Sequence, residues 1–235
     1  MGEESFFVIS RFNEDVSWIK EYTDNYIIFN KGEELGEEYK SINFPNYGGN
    51  QHDIFNFIYE NYESLPDIMV FVQGDPFDHC KKESFDNLIK NKTFTALEDH
   101  KDHPDGPICQ KDVDGGYREV NNSWYISATN NGHNLTCRYG NYDDFMNSVF
   151  SDYRGQCYVK FAPGSQYIVE KDQILKYSRA FWRCLRESLP KTIGINGGTE
   201  AHVIERSMTT IFLGEFESKG DEELEKLLEE LLNDN

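Results

Sequence analysis

Polar residues gather in four short clusters, each following an apolar stretch: Arg11-Phe12-Asn13-Glu14-Asp15, Asn30-Lys31-Gly32, Asn46 to Asn50, and Gln73-Gly74-Asp75. Amides, cations and carboxylates of this kind hold hydroxyl groups and phosphate oxygens. In open α/β sheets ligands sit beyond the carboxyl ends of strands, where loops from several strands converge. The base, ribose and diphosphate of a nucleotide sugar each need separate partners, and clusters on one sheet edge supply them. The candidate binding residues are therefore Arg11, Asn13, Glu14, Asn30, Lys31, Asn46, Gly48, Gln73 and Gly74. Gly74 lets the backbone come close to a ligand, and Asp75 can face a metal or a hydroxyl. The same stretch also reads as a β-turn, with Gly74 and Pro76 in ordinary turn roles.

These clusters need strands and helices to position them. Phe6 to Phe12 is an apolar, β-favouring run that breaks at Asn13-Glu14-Asp15, and Val16, Trp18, Ile19 and Tyr22 then follow at helical spacing. Tyr26 to Phe29 is a second short strand, and Tyr39 to Phe44 a third. Ile54, Phe55, Phe57, Ile58 and Tyr62 mark one face of a helix from His52 to Tyr62, which Asn50 could cap. The run Ile68 to Val72 shows no alternation, as a strand buried on both faces requires. Strands alternating with helices predict a single α/β domain with a mixed, centrally parallel sheet flanked by helices.

Beyond residue 90 turn residues dominate, and an irregular excursion over 91–156 is expected, with a short strand at Ser123 to Ser127. Asp99, His100, Asp102, His103 and Asp105 resemble a metal cluster, but their spacing fits no zinc pattern and suits a hydrated acidic loop better. Cys157 to Phe161 and Gln166 to Val169 are two more strands around Ala162-Pro163-Gly164-Ser165. Gly164-Ser165-Gln166 reads as a hairpin turn or as the lining of an acceptor pocket. One helix from Lys171 or Asp172 to Pro190 and another over Thr199 to Phe212 complete a domain spanning 1–216. An acidic amphipathic helix over 217–235 places Leu224, Leu227, Leu228, Leu231 and Leu232 on one side, for docking on its own domain.

Composition narrows the function. A net charge of -19 opposes nonspecific binding to nucleic acid or to anionic membranes, both of which need a cationic footprint. It leaves room for one nucleotide held by a local cation, by backbone amides or by a divalent metal. No apolar run approaches the roughly 20 residues of a membrane span. The start MGEESFF has no secretory pattern, and the five cysteines are scattered without CxxC spacing, so a reduced, cytoplasmic protein is expected. With 17 Phe, 14 Tyr and 3 Trp, its core should be rich in aromatic rings.

Five blocks, FFVISRFNEDVSWI, YIIFNKG, FPNYGGNQHDIFNFIYENYESLPDIMVFVQGDP, GSQYIVEKDQI and VIERSMTTIF, resemble in order the domain of unknown function 3431 family. That family shows RYNED, YNKG, Asn-x-Gly-Arg-Glu, FLQG, GxQFxV and ErlW motifs, and the likeness runs from about residue 6 to 213. Here Gly49 and Asn50 replace the family's Arg and Glu, and Ser207 and Met208 its Leu-Trp pair. The family is in turn similar in layout to GT-A type glycosyltransferases.

That resemblance implies transfer of a sugar from a nucleotide-sugar donor to a carbohydrate acceptor. It places Asp75 where an acidic turn would hold manganese or magnesium against the departing diphosphate, although Asp75-Pro76-Phe77-Asp78 is not a true Asp-x-Asp. It makes Glu205 a candidate general base, whereas the plain reading of Glu205 is a helix glutamate paired with Arg206 or Arg11. His202 reads as an ordinary satisfied histidine. The alternative to an enzyme is a noncatalytic carbohydrate- or protein-binding module on the same fold.

Overall fold

In the computed structural model, residues 4–46, 48–99, 108–111, 117–119, 125–126, 139, 142–189 and 199–233 are described. Six strands form the main sheet: β1 (Phe6–Arg11), β2 (Tyr26–Asn30), β3 (Ser41–Asn43), β4 (Ile68–Gln73), β5 (Thr95–Ala96) and, far along the chain, β10 (Tyr167–Glu170). Their order is β3-β2-β1-β4-β10-β5. β1 to β4 run parallel, with Ser10 beside Gln73 and Arg11 beside Asn30, and β10 lies antiparallel between β4 and β5. The sheet is thus mixed and centrally parallel, as the alternation of elements predicts.

The absence of alternation in the strands has a cause in the layers. Val8, Met69, Phe71, Tyr167 and Val169 face one core, shared with helices α1 (Gly49–Glu60), α5 (Arg179–Glu187) and α6 (Thr199–Leu213). Phe7, Ile9, Val70, Val72 and Ile168 face a second, with Trp18, Ile19 and Phe85 on the other side. A sheet covered on both faces buries every side chain of its central strands. Aromatic rings fill the larger core: Phe71 and Trp182 both stack on Phe212, with centroids 6.0 and 6.1 Å away.

The segment Ser17–Glu21, expected as a helix, is a 3-10 turn that buries Trp18 and Ile19, and α2 (Lys82–Leu88) follows β4. Within 91–156 the described residues contribute β5 to the main sheet and build most of a second, antiparallel sheet. This consists of β6 (Ile108–Lys111), β7 (Tyr117–Glu119), β8 (Tyr125–Ile126) and β9 (Tyr158–Lys160), in the order β8-β7-β6-β9. The Tyr117 hydroxyl donates to Asp143 Oδ1 at 2.9 Å, tying this sheet to α3 (Tyr142–Val149). The histidine and aspartate cluster at 100–105 lies outside the described residues, and Asp99 donates its backbone N–H to the His79 carbonyl.

Two expectations are corrected. β9 and β10 do not form a hairpin: β9 pairs with β6 and β10 with β4, so Pro163–Ser165 is a crossing between sheets. The single helix ending at Pro190 is two, α4 (Lys171–Ile174) and α5. The break falls at Ser178, whose hydroxyl caps α5 by accepting the Phe181 N–H. Ile174, Tyr177, Phe181, Trp182 and Leu185 enter one core on both sides of that break, so the apolar stripe runs on without revealing it. Helix α7 (Asp221–Asn233) packs against α5, burying Leu224, Leu228 and Leu231, and its start is held by Ser178 donating to Asp221 at 2.6 Å. No helix among the described residues is long and apolar enough to cross a membrane.

Candidate functional site

The strand order reverses between β1 and β4: the chain builds outward from β1 to β2 and β3, then crosses to β4 on the other side. Loops leaving adjacent strands part at such a point and leave a crevice at the carboxyl ends. A cleft of about 220 Å³ lies there, lined by Ser10, Arg11, Phe12, Glu14, Lys31, Asn46, Gly49, Asn50 and Gln73. The structure therefore brings Arg11, Glu14, Lys31, Asn46 and Gln73 together from four separate sequence clusters.

Several of the other candidates shape the wall. Arg11 is buried, and donates through Nε to Glu14 O and through Nη1 to Asn30 Oδ1, Phe12 O and Glu33 O. Asn30 donates to Glu33 O and Asn43 Oδ1, and Asn13 Oδ1 accepts the Glu33 N–H. These bonds lock the loop after β1 onto the loop after β2. The contact is so close that a Cβ on Gly32 would lie 1.6 Å from the Phe12 carbonyl oxygen. On the other side Trp18 donates to Gly74 O at 2.8 Å, and a Cβ on Gly74 would meet Glu14 Oε2 at 2.7 Å. Gly74 thus serves close packing of Glu14 against the β4 turn. Gly48, at φ 69°, starts α1 in the left-handed region.

A buried charge pair lies beneath the cleft. Lys31 Nζ sits 2.8 Å from Asp53 Oδ2 and donates to Gly49 O at 2.6 Å, its side chain only 5 % exposed. Ser10 donates to the same Asp53 oxygen, while Asp53 Oδ1 makes no hydrogen bond among the described residues and lies 4.0 Å from His52 Nδ1. Burial pushes the Asp53 carboxyl up to about 6, against the opposing pull of Lys31 and Ser10. Sequence reasoning passed over Asp53, Ser10 and Gln51. The available signal was an unbroken polar stretch, Asn50 to Asp53, at the head of an amphipathic helix.

Asp75 does not hold a metal. Its Oδ1 accepts the Phe77 N–H at 3.0 Å, capping the 3-10 turn Pro76–Asp78, and its carbonyl accepts from Gln73 Nε2 at 3.0 Å. Among the described residues no three His, Cys, Asp or Glu side chains come together to hold a cation. The expected manganese or magnesium site is overturned: Asp75 is used for the backbone of its own turn, and no two further His, Cys, Asp or Glu side chains among the described residues join it to hold a cation.

Glu205 stands behind the cleft. Its Oε1 accepts the Gly164 N–H at 2.8 Å and its Oε2 the Arg206 Nη1 at 2.5 Å. Burial pushes its carboxyl up to about 7, opposed by the Gly164 amide, and the adjacent guanidinium also favours the charged form. Asn50 Nδ2 donates to Gly164 O, and a Cβ on Gly164 would meet Gln73 Oε1 at 2.7 Å. One glycine therefore separates Glu205 from two residues of the lining. The turn is held in a rare conformation, with Gly164 at φ 71° and Ser165 at φ 51°. Gln51 Nε2 fixes it by donating to Ser165 Oγ at 2.9 Å.

The chain matches the family described as "Protein of unknown function (DUF3431)" over residues 7–224. It belongs to that family. The match covers the main sheet, the cleft, the Gly164 turn and α6, and reaches into α7. No curated protein matches the chain.

Proposed function

We propose that this member of the family is a glycosyltransferase-like protein that binds a nucleotide sugar in the switch-point cleft and passes the sugar to a carbohydrate acceptor, with no cation held by the described residues. The observation that carries this reading is the place of the cleft, at the carboxyl ends of β1, β2 and β4 where the strand order reverses. Lys31, paired with Asp53, and Arg11, bonded to the loop carbonyls, bring positive charge to the floor of the cleft in an acidic chain, and the amides of Asn46, Asn50 and Gln73 suit hydroxyl groups. Transfer also needs a base that reaches the acceptor hydroxyl. Glu14 is the carboxylate on the lining, whereas Glu205 would have to leave Gly164 and Arg206 to act. Free thiols at Cys80, Cys157 and Cys184 accord with the cytoplasmic location that belongs to this reading.

The engaged oxygens of Glu205 favour a second reading, a noncatalytic carbohydrate-binding module with the same cleft. Calorimetry of the full chain with uridine, guanosine and cytidine nucleotide sugars in EDTA, followed by assay of released nucleotide with an oligosaccharide acceptor, separates the two. Saturable binding with nucleotide release that Glu14→Gln abolishes supports the enzyme. Binding without release supports the module, and no binding of any nucleotide sugar defeats the nucleotide reading.

A further inference from the structure

Phe12 stands out on the cleft lining. It is 49 % exposed, more than any other phenylalanine among the described residues, and an exposed phenyl ring forgoes the stabilisation of burial. Its backbone is fixed. Phe12 N–H donates to Glu14 Oε2 at 2.7 Å, its carbonyl accepts from Arg11 Nη1, and Gly32 packs directly on that carbonyl. A flexible loop could turn such a ring inward; this loop is held from both sides and keeps it out. Beside it on the lining stand the amides of Asn46, Asn50 and Gln73 and the carboxylate of Glu14; Asn50 Nδ2 donates to Gly164 O, Gln73 Nε2 to Asp75 O, and Glu14 Oε2 accepts the Phe12 N–H, which leaves each of these groups a further oxygen or N–H.

We infer that Phe12 with these four side chains forms a subsite for a single pyranose ring. One face of a pyranose is a patch of C–H groups that packs on an aromatic ring, and its rim is a circle of hydroxyls that alternately donate and accept. An aromatic face beside amides and a carboxylate complements both parts. The cleft, about 220 Å³, is below the range usual for drug-sized ligands and suits one sugar unit, so the nucleotide part of a donor would extend out of it. The inference rests on the reading of this cleft as the ligand site and adds that the sugar ring, not the nucleotide, seats against Phe12. Recognition then survives removal of the nucleotide.

Saturation-transfer NMR on the full chain tests this, with the methyl glycosides of glucose, galactose, mannose and N-acetylglucosamine as probes and uridine diphosphate as a separate arm. At least one glycoside should show transfer to its ring C–H protons. Phe12→Ala should weaken its binding about tenfold or more, Phe12→Trp should keep it, and Asn46→Ala should weaken it through the hydroxyls. Glycoside binding that Phe12→Ala leaves intact overturns the platform while leaving a sugar site in the cleft. Binding of uridine diphosphate with no glycoside signal overturns the pyranose subsite and leaves the nucleotide reading standing. Silence in both arms overturns the inference and removes support from the proposed function as well. Thermal unfolding of each variant, expected unchanged for an exposed side chain, shows that the protein under test is folded.

Discussion

At the scale of single residues, the buried Lys31 and Asp53 pair makes a pH prediction. Asp53 holds its proton more tightly in the fold than its ordinary value of 3.8 allows, up to about 6. A raised carboxyl contributes most below its unfolded value and loses that contribution as pH rises through the folded one. Asp53→Asn removes this titration, so its stability should stay flat between pH 4 and pH 7 where that of wild type falls. Lys31→Met does the opposite, leaving a buried carboxylate without its cation. It should cost about 3–5 kcal/mol at pH 7 and much less at pH 4. Urea titrations of the three proteins at several pH values check both signs. Gly32→Ala places a methyl group against the Phe12 carbonyl and should destabilise by about 1–3 kcal/mol in the same titrations. The residue types that line the cleft were legible in the sequence, since amides and charges after apolar runs stand out. Their roles were not. Asn13, Asn30 and Asp75 carry the same groups as ligand-binding residues but spend them on neighbouring backbone and side chains, and which partner a side chain meets is fixed only by the fold.

At the scale of elements, the turn from Ala162 to Gln166 couples the back of the cleft to α6. Gly164→Ala must accept φ 71° and a contact at 2.7 Å with Gln73 Oε1, so about 1–3 kcal/mol of stability and the geometry of Gln73 should both suffer. Denaturation and ligand titration of one variant read the two effects. For α7, Leu228→Ala should cost about 2–4 kcal/mol, while Leu232→Ala, at a site 42 % exposed, should be nearly neutral. β1, β2 and β4 were legible because apolar runs ended by polar turns have few alternative readings. The crossing at Gly164 was not: two strands around a Pro-Gly turn look the same whether they pair with each other or with distant strands, and local sequence carries no record of the distant partner. The break at Ser178 was hidden for a related reason, one core receiving side chains from both helices.

At the scale of the whole molecule, the account rests on a mixed sheet covered on both faces, with a cleft where its strand order reverses. In a chain of net charge -19, Lys31 and Arg11 are cations on the cleft lining, with Lys31 paired to the buried Asp53. The most direct measurement is calorimetry with Asn46→Trp, which puts a bulky ring into the mouth of the cleft from an exposed loop position that supports no core. Against the nucleotide sugar that binds wild type in EDTA, the account predicts at least about a tenfold loss of affinity with an unchanged Tm. Equal affinity in wild type and Asn46→Trp would contradict it and move the ligand site elsewhere on the molecule.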